Sequence, residues 1–264
     1  MGDHLDRSLR TRQQVAADTG LKPLANIPAL EPRSSFERMS RRLRGAEAER
    51  APVSFRDVLM SLGEGTRPSD TPFRQAVLRL LSRIRSHARA GQPQIVMMAS
   101  GHAKSGTSAT ALALAYAAAT SGERTLLIDG CSADPELSRV FAATLRQTAP
   151  VVLDSKEDLA SVTTRDGRSG LSLLPIALAD LRRLKMSQRH RLSIGIGKLA
   201  LDFDLVIIDA GGLLDDESAL SLAPAADQIV LVARSGTTER ETISETIQSL
   251  EQARERVVGL VLTM

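Results

Sequence analysis

The 264-residue sequence is poor in cysteine and in aromatic side chains. A single cysteine, Cys131, excludes an internal disulfide framework and a cysteine-rich zinc site, and it suits a reducing cytoplasm. Five Phe, one Tyr and no Trp leave few rings on which nucleobases could stack, which argues against a nucleic-acid partner. The sequence also lacks an apolar run of the roughly 20 residues that cross a bilayer, and it lacks the pattern of a secretory signal. We therefore expect a cytoplasmic chain without a membrane span.

Positive charge is concentrated in the first third of the chain. Residues 1–91 hold 17 Lys and Arg against 10 Asp and Glu, whereas residues 92–264 hold 17 against 21. Such an excess suits phosphate groups or an anionic membrane surface, where each basic side chain contributes about 1 kcal/mol. The alternative is a solvated basic helix face.

The sequence predicts a lead-in over residues 1–68 and a single α/β domain over residues 69–264. Five prolines interrupt the lead-in, so we expect an irregular, partly helical segment there: Pro23, Pro28, Pro32, Pro52 and Pro68. The domain then opens with a helix over about residues 70–89, because its apolar side chains recur at helical spacing from Phe73 to Ile84.

Short apolar runs alternate with helical segments from residue 94 onward. The predicted strands are Gln94–Ala99, Arg124–Asp129, Leu171–Leu174, Asp204–Asp209, Asp227–Ala233 and Arg256–Leu262. The helices predicted between them cover about residues 107–120, 178–199 and 239–254. This alternation predicts a doubly wound parallel sheet with helices on both faces.

The loop after the first of these strands is similar to a nucleotide-binding loop. Residues Ser100–Ser108 read SGHAKSGTS, close to the P-loop pattern G-x-x-x-x-G-K-[S/T]. Gly101 and Gly106 have the required spacing, and Ser108 stands at the position whose hydroxyl holds magnesium. Thr107, however, stands where that pattern has its phosphate-binding lysine.

Two further predicted strands end in an aspartate. Asp129 closes LLID and Asp209 closes LVIID, and such a carboxylate at the end of a buried strand is costly to desolvate without a partner or an ion. We therefore predict that both belong to a catalytic site and that, with Ser108, they hold magnesium if nucleotide binds. The alternative is that each side chain caps the turn that follows it.

Four smaller features have simpler interpretations. Tyr116 lies among alanines and leucines at helical spacing, which is typical of core packing. Asp215–Glu217 fits the start of a helix, and Cys131 fits a semi-buried filler. His102 lies in the loop, where it could contact phosphate.

In their order, these motifs resemble the cytoplasmic domain of bacterial tyrosine kinases, P-loop proteins related to MinD and ParA. LLIDGCSADPELSRVF resembles the family's Walker A′ motif LLIDxDxRxPxLxxxF, with Asp129, Pro135, Leu137 and Phe141 in register. FDLVIIDAGG and ADQIVLVARSGTTERE resemble the family's YDLVIIDTPP and ADGVLLVVRxGxT. The lead-in from Leu5 to Pro28 resembles the membrane-proximal segment of polysaccharide co-polymerases.

The sequence departs from the family pattern mainly at charged positions. Thr107 replaces the phosphate-binding lysine, Cys131 replaces the second Walker A′ aspartate, and Ala133 replaces an arginine. The E-x-x-R-x-x-R oligomerisation motif survives only as Arg74. Losing one preorganised donor typically costs about 10²–10³ in rate, so these replacements predict a degenerate site and an impaired phosphoryl transferase, a pseudokinase.

The resemblance implies a module of exopolysaccharide or capsule synthesis and export that regulates a chain-length-determining co-polymerase. It implies three partners: that membrane protein, the inner face of the plasma membrane, and further copies of the chain in a homo-oligomer. ATP or ADP with magnesium would bind weakly or not at all. The residues available to it are Gly101, Lys104, Ser105, Gly106, Thr107 and Ser108.

Two alternatives remain open. The first is an active ATP-dependent protein-tyrosine autokinase in which Lys104 replaces the missing lysine. The second is a positioning ATPase of the MinD/ParA type, whose signature lysine belongs early in the loop, where this sequence has His102.

Overall fold

A computed structural model describes residues 8–28, 71–86, 88, 91–135, 137–138, 156–176 and 181–264. Most of the predicted lead-in lies outside these residues, as does Phe141 of the Walker A′ stretch. The strands are β1 (Pro23–Ile27), β2 (Gln94–Ser100), β3 (Thr125–Asp129), β4 (Thr164–Arg165), β5 (Ser172–Leu174), β6 (Leu205–Gly212), β7 (Gln228–Arg234) and β8 (Val257–Thr263).

The helices lie between these strands in the chain. They are α1 (Arg12–Thr19), α2 (Pro72–Arg85), α3 (Thr107–Thr120), α4 (Lys156–Val162), α5 (Met186–Ala200) and α6 (Arg240–Ser249). Short 3-10 segments cover Leu181–Arg183, Glu217–Ala225 and Glu251–Arg256. Among the described residues, no helix has the length and hydropathy needed to span a bilayer.

The strands form one sheet in the order β1-β8-β7-β2-β6-β3-β5-β4. Every neighbouring pair is parallel except β4 and β5, which are antiparallel. Parallel strands need crossover connections, and these place helices on both faces of the sheet. The predicted fold class, a doubly wound parallel sheet with helices on both faces, is confirmed.

Two apolar clusters fill the space between the sheet and its helices. Helices α1, α5 and α6 bury their apolar side chains, among them Leu192 and Ile196, in the cluster on one face. Helices α2 and α3 pack in the cluster on the other face. Tyr116 is buried in that second cluster, as its helical spacing predicted.

The structure differs from the sequence-based expectations in several elements. Helix α4 and strand β4 were not predicted, and α6 ends at Ser249, earlier than expected. Strand β1, within the predicted irregular lead-in, is an edge strand, a place that tolerates Pro23 because proline lacks an N–H group. The Arg83 guanidinium of α2 hydrogen-bonds the Pro23 carbonyl oxygen at 2.9 Å and also the Leu24 carbonyl. Helix α5 begins at Met186, later than expected. The domain boundary at residue 68 remains a prediction.

We expect Gly259→Ala to detach β1 from the sheet, because Gly259 has φ of 155° and an added Cβ would collide with the backbone oxygen of Lys22. The free energy of unfolding, measured by urea denaturation, should fall by about 2–3 kcal/mol. Gly197→Ala is the matched control, since a Cβ there meets nothing within 4 Å, and it should stabilise α5 by about 0.5–1 kcal/mol. Equal effects of the two substitutions would contradict this account.

Candidate functional site

The carboxyl ends of β2, β3 and β6 meet at one edge of the sheet, where ligands of such sheets bind. The loop after β2 leads into α3, whose N-terminal backbone N–H groups face this edge. Asp129 ends β3, and Asp209 lies in β6 directly opposite it in the pairing register. The fold therefore brings all the predicted site residues to one place.

Thr107 is buried in the floor of the phosphate loop. Its hydroxyl hydrogen-bonds Ser100 Oγ at 2.9 Å, and Ser100 Oγ in turn lies 2.8 Å from the His102 carbonyl oxygen. Gly106, with φ of 86°, adopts the left-handed conformation that begins α3. At the position of the expected lysine there is thus a neutral hydroxyl, which takes part in the hydrogen bonds within the loop.

The tip of the loop is joined to β8. Ser105 Oγ donates to the His102 carbonyl at 2.8 Å, and Thr263 Oγ1 donates to the Ser105 carbonyl at 2.7 Å. Lys104, which lies between His102 and Ser105 in the sequence, is exposed and has a left-handed backbone with φ of 64°. These bonds define the shape of the loop without using the Lys104 ammonium group.

The two strand-end aspartates are buried side by side. Asp129 Oδ2 accepts hydrogen bonds from the Ser138 N–H at 2.8 Å and the Ser138 hydroxyl at 2.6 Å. Asp209 Oδ1 accepts one from the Gly211 N–H at 3.2 Å. The predicted alternative, that both carboxylates bond to the turn after their strand, describes part of this arrangement, since Cys131 N–H also donates to Asp129 at 3.2 Å.

Burial shifts the protonation equilibria of Asp129 and of the neighbouring thiol. It raises the pKa of Asp129 to about 6, although the hydrogen bonds from Ser138 oppose this change. Burial, together with the charge of Asp209, raises the pKa of the Cys131 thiol to about 12. Cys131 is therefore a neutral thiol at pH 7, consistent with its interpretation as a filler.

Asp215 joins the loop after β6 to the phosphate loop. Its Oδ2 accepts from the Ala103 N–H at 2.6 Å, and its Oδ1 lies 2.8 Å from His102 Nδ1. Burial acts to raise the pKa of Asp215, but the hydrogen bonds from His102 and Ala103 outweigh it, so this pKa lies below its usual value. The Ala103 N–H of the phosphate loop therefore already donates a hydrogen bond to a carboxylate of the chain itself.

Gly212 allows the loop after β6 to lie close to Ala103 of the phosphate loop. An added Cβ at this residue would lie 2.6 Å from the Ala103 nitrogen and 2.8 Å from Asp215 Oδ2. The neighbouring residue Asp216 caps the following 3-10 segment, accepting from the Ser218 N–H at 3.0 Å. The sequence predicts that Asp215–Glu217 starts a helix, and Asp216 caps the start of the 3-10 segment. The sequence does not predict the contact of Asp215 with the phosphate loop.

The site offers backbone donors for a phosphate and two buried carboxyl groups near it. Gly106 and the uncapped start of α3 supply backbone donors of the kind that bind anions. The described residues contain no group of three or more His, Cys, Asp or Glu side chains placed to hold a metal. A magnesium ion bound with a nucleotide needs only one or two protein ligands, because phosphate and water supply the rest. Asp129 is also engaged by both donors of Ser138. The magnesium role of Asp129, Asp209 and Ser108 remains a prediction.

Comparison with known proteins identifies relatives among bacterial tyrosine kinases. The chain is 28% identical over 160 residues to the tyrosine-protein kinase CpsD of Streptococcus agalactiae, covering 60% of this chain and 69% of that protein. It is 27% identical over 175 residues to the succinoglycan biosynthesis transport protein ExoP of Rhizobium meliloti, covering 65% of this chain and 22% of ExoP. The resemblance inferred from the motifs is confirmed.

A third relative is an uncharacterized ATP-binding protein of Methanocaldococcus jannaschii, 32% identical over 172 residues that cover 64% of this chain and 63% of that protein. This chain thus spans less than two thirds of the length of that protein and of ExoP. No protein-family model matches the chain.

Solved structures share the fold over most of the chain. The kinase domain of the Escherichia coli tyrosine kinase ETK superposes with a TM-score of 0.68 at 19% identity, covering 97% of this chain and 94% of that domain. A plasmid partition protein of Borrelia burgdorferi gives a TM-score of 0.52 at 15% identity, covering 65% and 78%. The chain therefore shares the overall fold of these two proteins.

We expect the stability of the protein to fall as pH rises through the range in which Asp129 ionises. The folded-state pKa, about 6, lies above the value of roughly 4 for an aspartate in an unfolded chain, so the folded protein holds this proton more tightly and loses stability as the pH rises. The corresponding loss of unfolding free energy is roughly 2–3 kcal/mol. Urea unfolding between pH 4 and 7 in EDTA measures the slope, which Asp129→Asn should remove. An unchanged slope in that variant would assign it to another group.

Asp215→Ala should loosen the phosphate loop, because it leaves the Ala103 N–H without its acceptor. Amide hydrogen exchange at Ala103 should accelerate by about tenfold, the effect of losing one charge-assisted bond at a partly exposed position. Glu217→Ala changes a neighbouring exposed carboxylate and should leave this exchange rate unaltered. Equal rates in wild type and Asp215→Ala would show that the contact does not hold the loop.

Proposed function

We propose that this chain is a kinase-like module of an exopolysaccharide or capsule system in which phosphoryl transfer is impaired. In this proposal it acts by regulating a chain-length-determining co-polymerase at the inner face of the plasma membrane. It would do so as an assembly of several copies. The names of two relatives, a tyrosine-protein kinase and a succinoglycan transport protein, support the choice of system.

The observation that carries the proposed impairment is the environment of Thr107. Phosphoryl transfer depends on cations that neutralise the charge developing on the transferred group. At the position of the expected lysine, the Thr107 hydroxyl instead bonds Ser100 at 2.9 Å. One missing donor of this kind typically costs about 10²–10³ in rate, and Cys131 supplies no metal ligand that would offset the loss.

Nucleotide binding can persist where catalysis does not. The backbone N–H groups at the start of α3 and the Ser108 hydroxyl do not depend on a lysine. An entering phosphate, however, meets a loop already bonded to Asp215. We therefore propose that ATP or ADP binds weakly, with Gly101, Lys104, Ser105, Gly106, Thr107 and Ser108 as the residues nearest to it.

Restoring the lysine tests this proposal. Wild-type protein should show no saturable binding of labelled ATP-Mg below about 1 mM, whereas Thr107→Lys should bind at least roughly tenfold more tightly, as expected for one charge-assisted hydrogen bond. Thr107→Met is the matched control: it adds similar length without charge and should bind no better than wild type.

The same titrations distinguish the alternatives. Micromolar ATP binding by wild type, with phosphate incorporated on tyrosine and lost in Lys104→Met, would overturn the proposal in favour of an active autokinase. An ATP-dependent dimer in gel filtration would instead favour a positioning ATPase. Neither result is expected, since Tyr116 is buried and Lys104 contributes no side-chain bond to the loop's shape.

A further inference from the structure

Exposed apolar side chains are concentrated on one helix. Among the described residues four large apolar side chains are strongly exposed, and three of them lie on α5 or directly after it: Met186 at 79%, Ile194 at 45% and Leu201 at 65%. Single exposed apolar residues are ordinary on a protein surface. Three of them on or directly after one helix make that helix the candidate interaction surface among the described residues.

The three side chains share one face of α5. Ile194 follows Met186 by eight residues and precedes Leu201 by seven, spacings that bring side chains to the same side of a helix. The opposite side of α5 is anchored in the core by Leu192, Ile196 and Leu199. The exposed stripe is therefore held on a rigid element roughly 22 Å long.

The segment that carries this stripe is rich in basic residues. Residues 181–202 contain six Lys and Arg and a single acidic residue, Asp202. Two of the basic residues, Arg191 and Lys198, are exposed on α5 beside Ile194. Apolar side chains between basic ones on a surface helix are typical of helices that lie in the headgroup layer of an anionic bilayer.

The charge also argues against a second copy of the chain as the occupant. In a two-fold symmetric contact the same patch lies on both sides, so the basic face with Arg191 and Lys198 would meet an identical basic face. Like charges brought together in this way repel, whereas anionic headgroups neutralise them.

We propose that the exposed face of α5, formed by Met186, Ile194, Leu201, Arg191 and Lys198, docks on an anionic membrane surface. The helix lies parallel to the bilayer, its three apolar side chains enter the headgroup layer, and the basic residues contact lipid phosphates. This docking rests on the membrane location in the proposed function and specifies the surface that makes the contact. It uses the face of the sheet opposite α3, the helix that follows the phosphate loop, and it needs no nucleotide.

Vesicle sedimentation with the full chain tests this proposal in the absence of nucleotide. The protein should sediment with vesicles of phosphatidylcholine and phosphatidylglycerol at 3:1, should not sediment with pure phosphatidylcholine, and should be released at high salt. Ile194→Ser with Leu201→Ser should lower the partition coefficient by about tenfold. Lys198→Glu should lower it by at least about fivefold.

Matched controls lie elsewhere on the surface. Met264→Ser changes the fourth exposed apolar side chain, and Arg79→Glu reverses a charge on α2, on the other face of the sheet. Both should bind vesicles like wild type, and all variants should keep the wild-type thermal unfolding midpoint, because the substituted side chains are exposed.

Three outcomes would overturn the proposal. The first is absence of binding to anionic vesicles, and the second is equal loss in the control variants. The third is a concentration-dependent oligomer that Ile194→Ser with Leu201→Ser dissociates, because this would assign the face to another copy of the chain. None of these results depends on ATP binding, so failure of the docking and failure of the proposed function are distinguishable.

Discussion

The burial of two carboxyl groups side by side constrains the carboxyl edge of this sheet. Asp129 and Asp209 oppose each other in β3 and β6, and each is almost fully removed from water. Such groups need hydrogen-bond donors, because an uncompensated buried charge is very costly. Ser138 supplies two donors to Asp129, and Gly130 lets its segment lie close to β6, with its N–H 2.8 Å from the Asp209 carbonyl oxygen. The raised pKa of Asp129 indicates that this compensation is incomplete.

The phosphate loop is organised by neutral hydrogen bonds. Ser100, Ser105 and Thr107 link the loop internally, and Thr263 ties it to β8. In a loop of this kind a lysine would need an anion to balance its charge, whereas a threonine satisfies its hydroxyl locally. The loop therefore keeps its shape in the absence of phosphate. The anionic partner it does have is Asp215, a residue of the chain itself.

Sequence reasoning recovered the sheet well because its central strands are continuous apolar runs buried on both faces. The predicted limits of β2 and β3 differ from the observed ones by one residue, and α3 was predicted with its observed limits. Strand β1 was missed because PLANI is short, begins with proline, and becomes a strand only by pairing with β8, which lies far away in sequence.

The site was recovered less completely, for a physical reason. Motifs identify residues that a family shares, and they placed Asp129, Asp209 and the loop correctly at one edge. The contact between Asp215 and the loop depends on the close approach of Gly212 to Ala103, which no sequence motif states. Knowing that both loops leave the same edge could have suggested it, but spacing alone cannot give the 2.6 Å contact.

Charge balance links the two main departures from the kinase pattern. Thr107 removes a positive charge from this edge, and Cys131, a neutral thiol with its pKa raised to about 12, stands where the pattern has a carboxylate. Had an aspartate remained there, a third carboxyl group would lie near Asp129 and Asp209 without the cations that such sites use. Losing only the lysine would thus increase the repulsion among the carboxylates at this edge. Losing the aspartate at position 131 as well limits that repulsion to Asp129 and Asp209. The paired replacements therefore agree with the proposal that phosphoryl transfer is impaired in this chain.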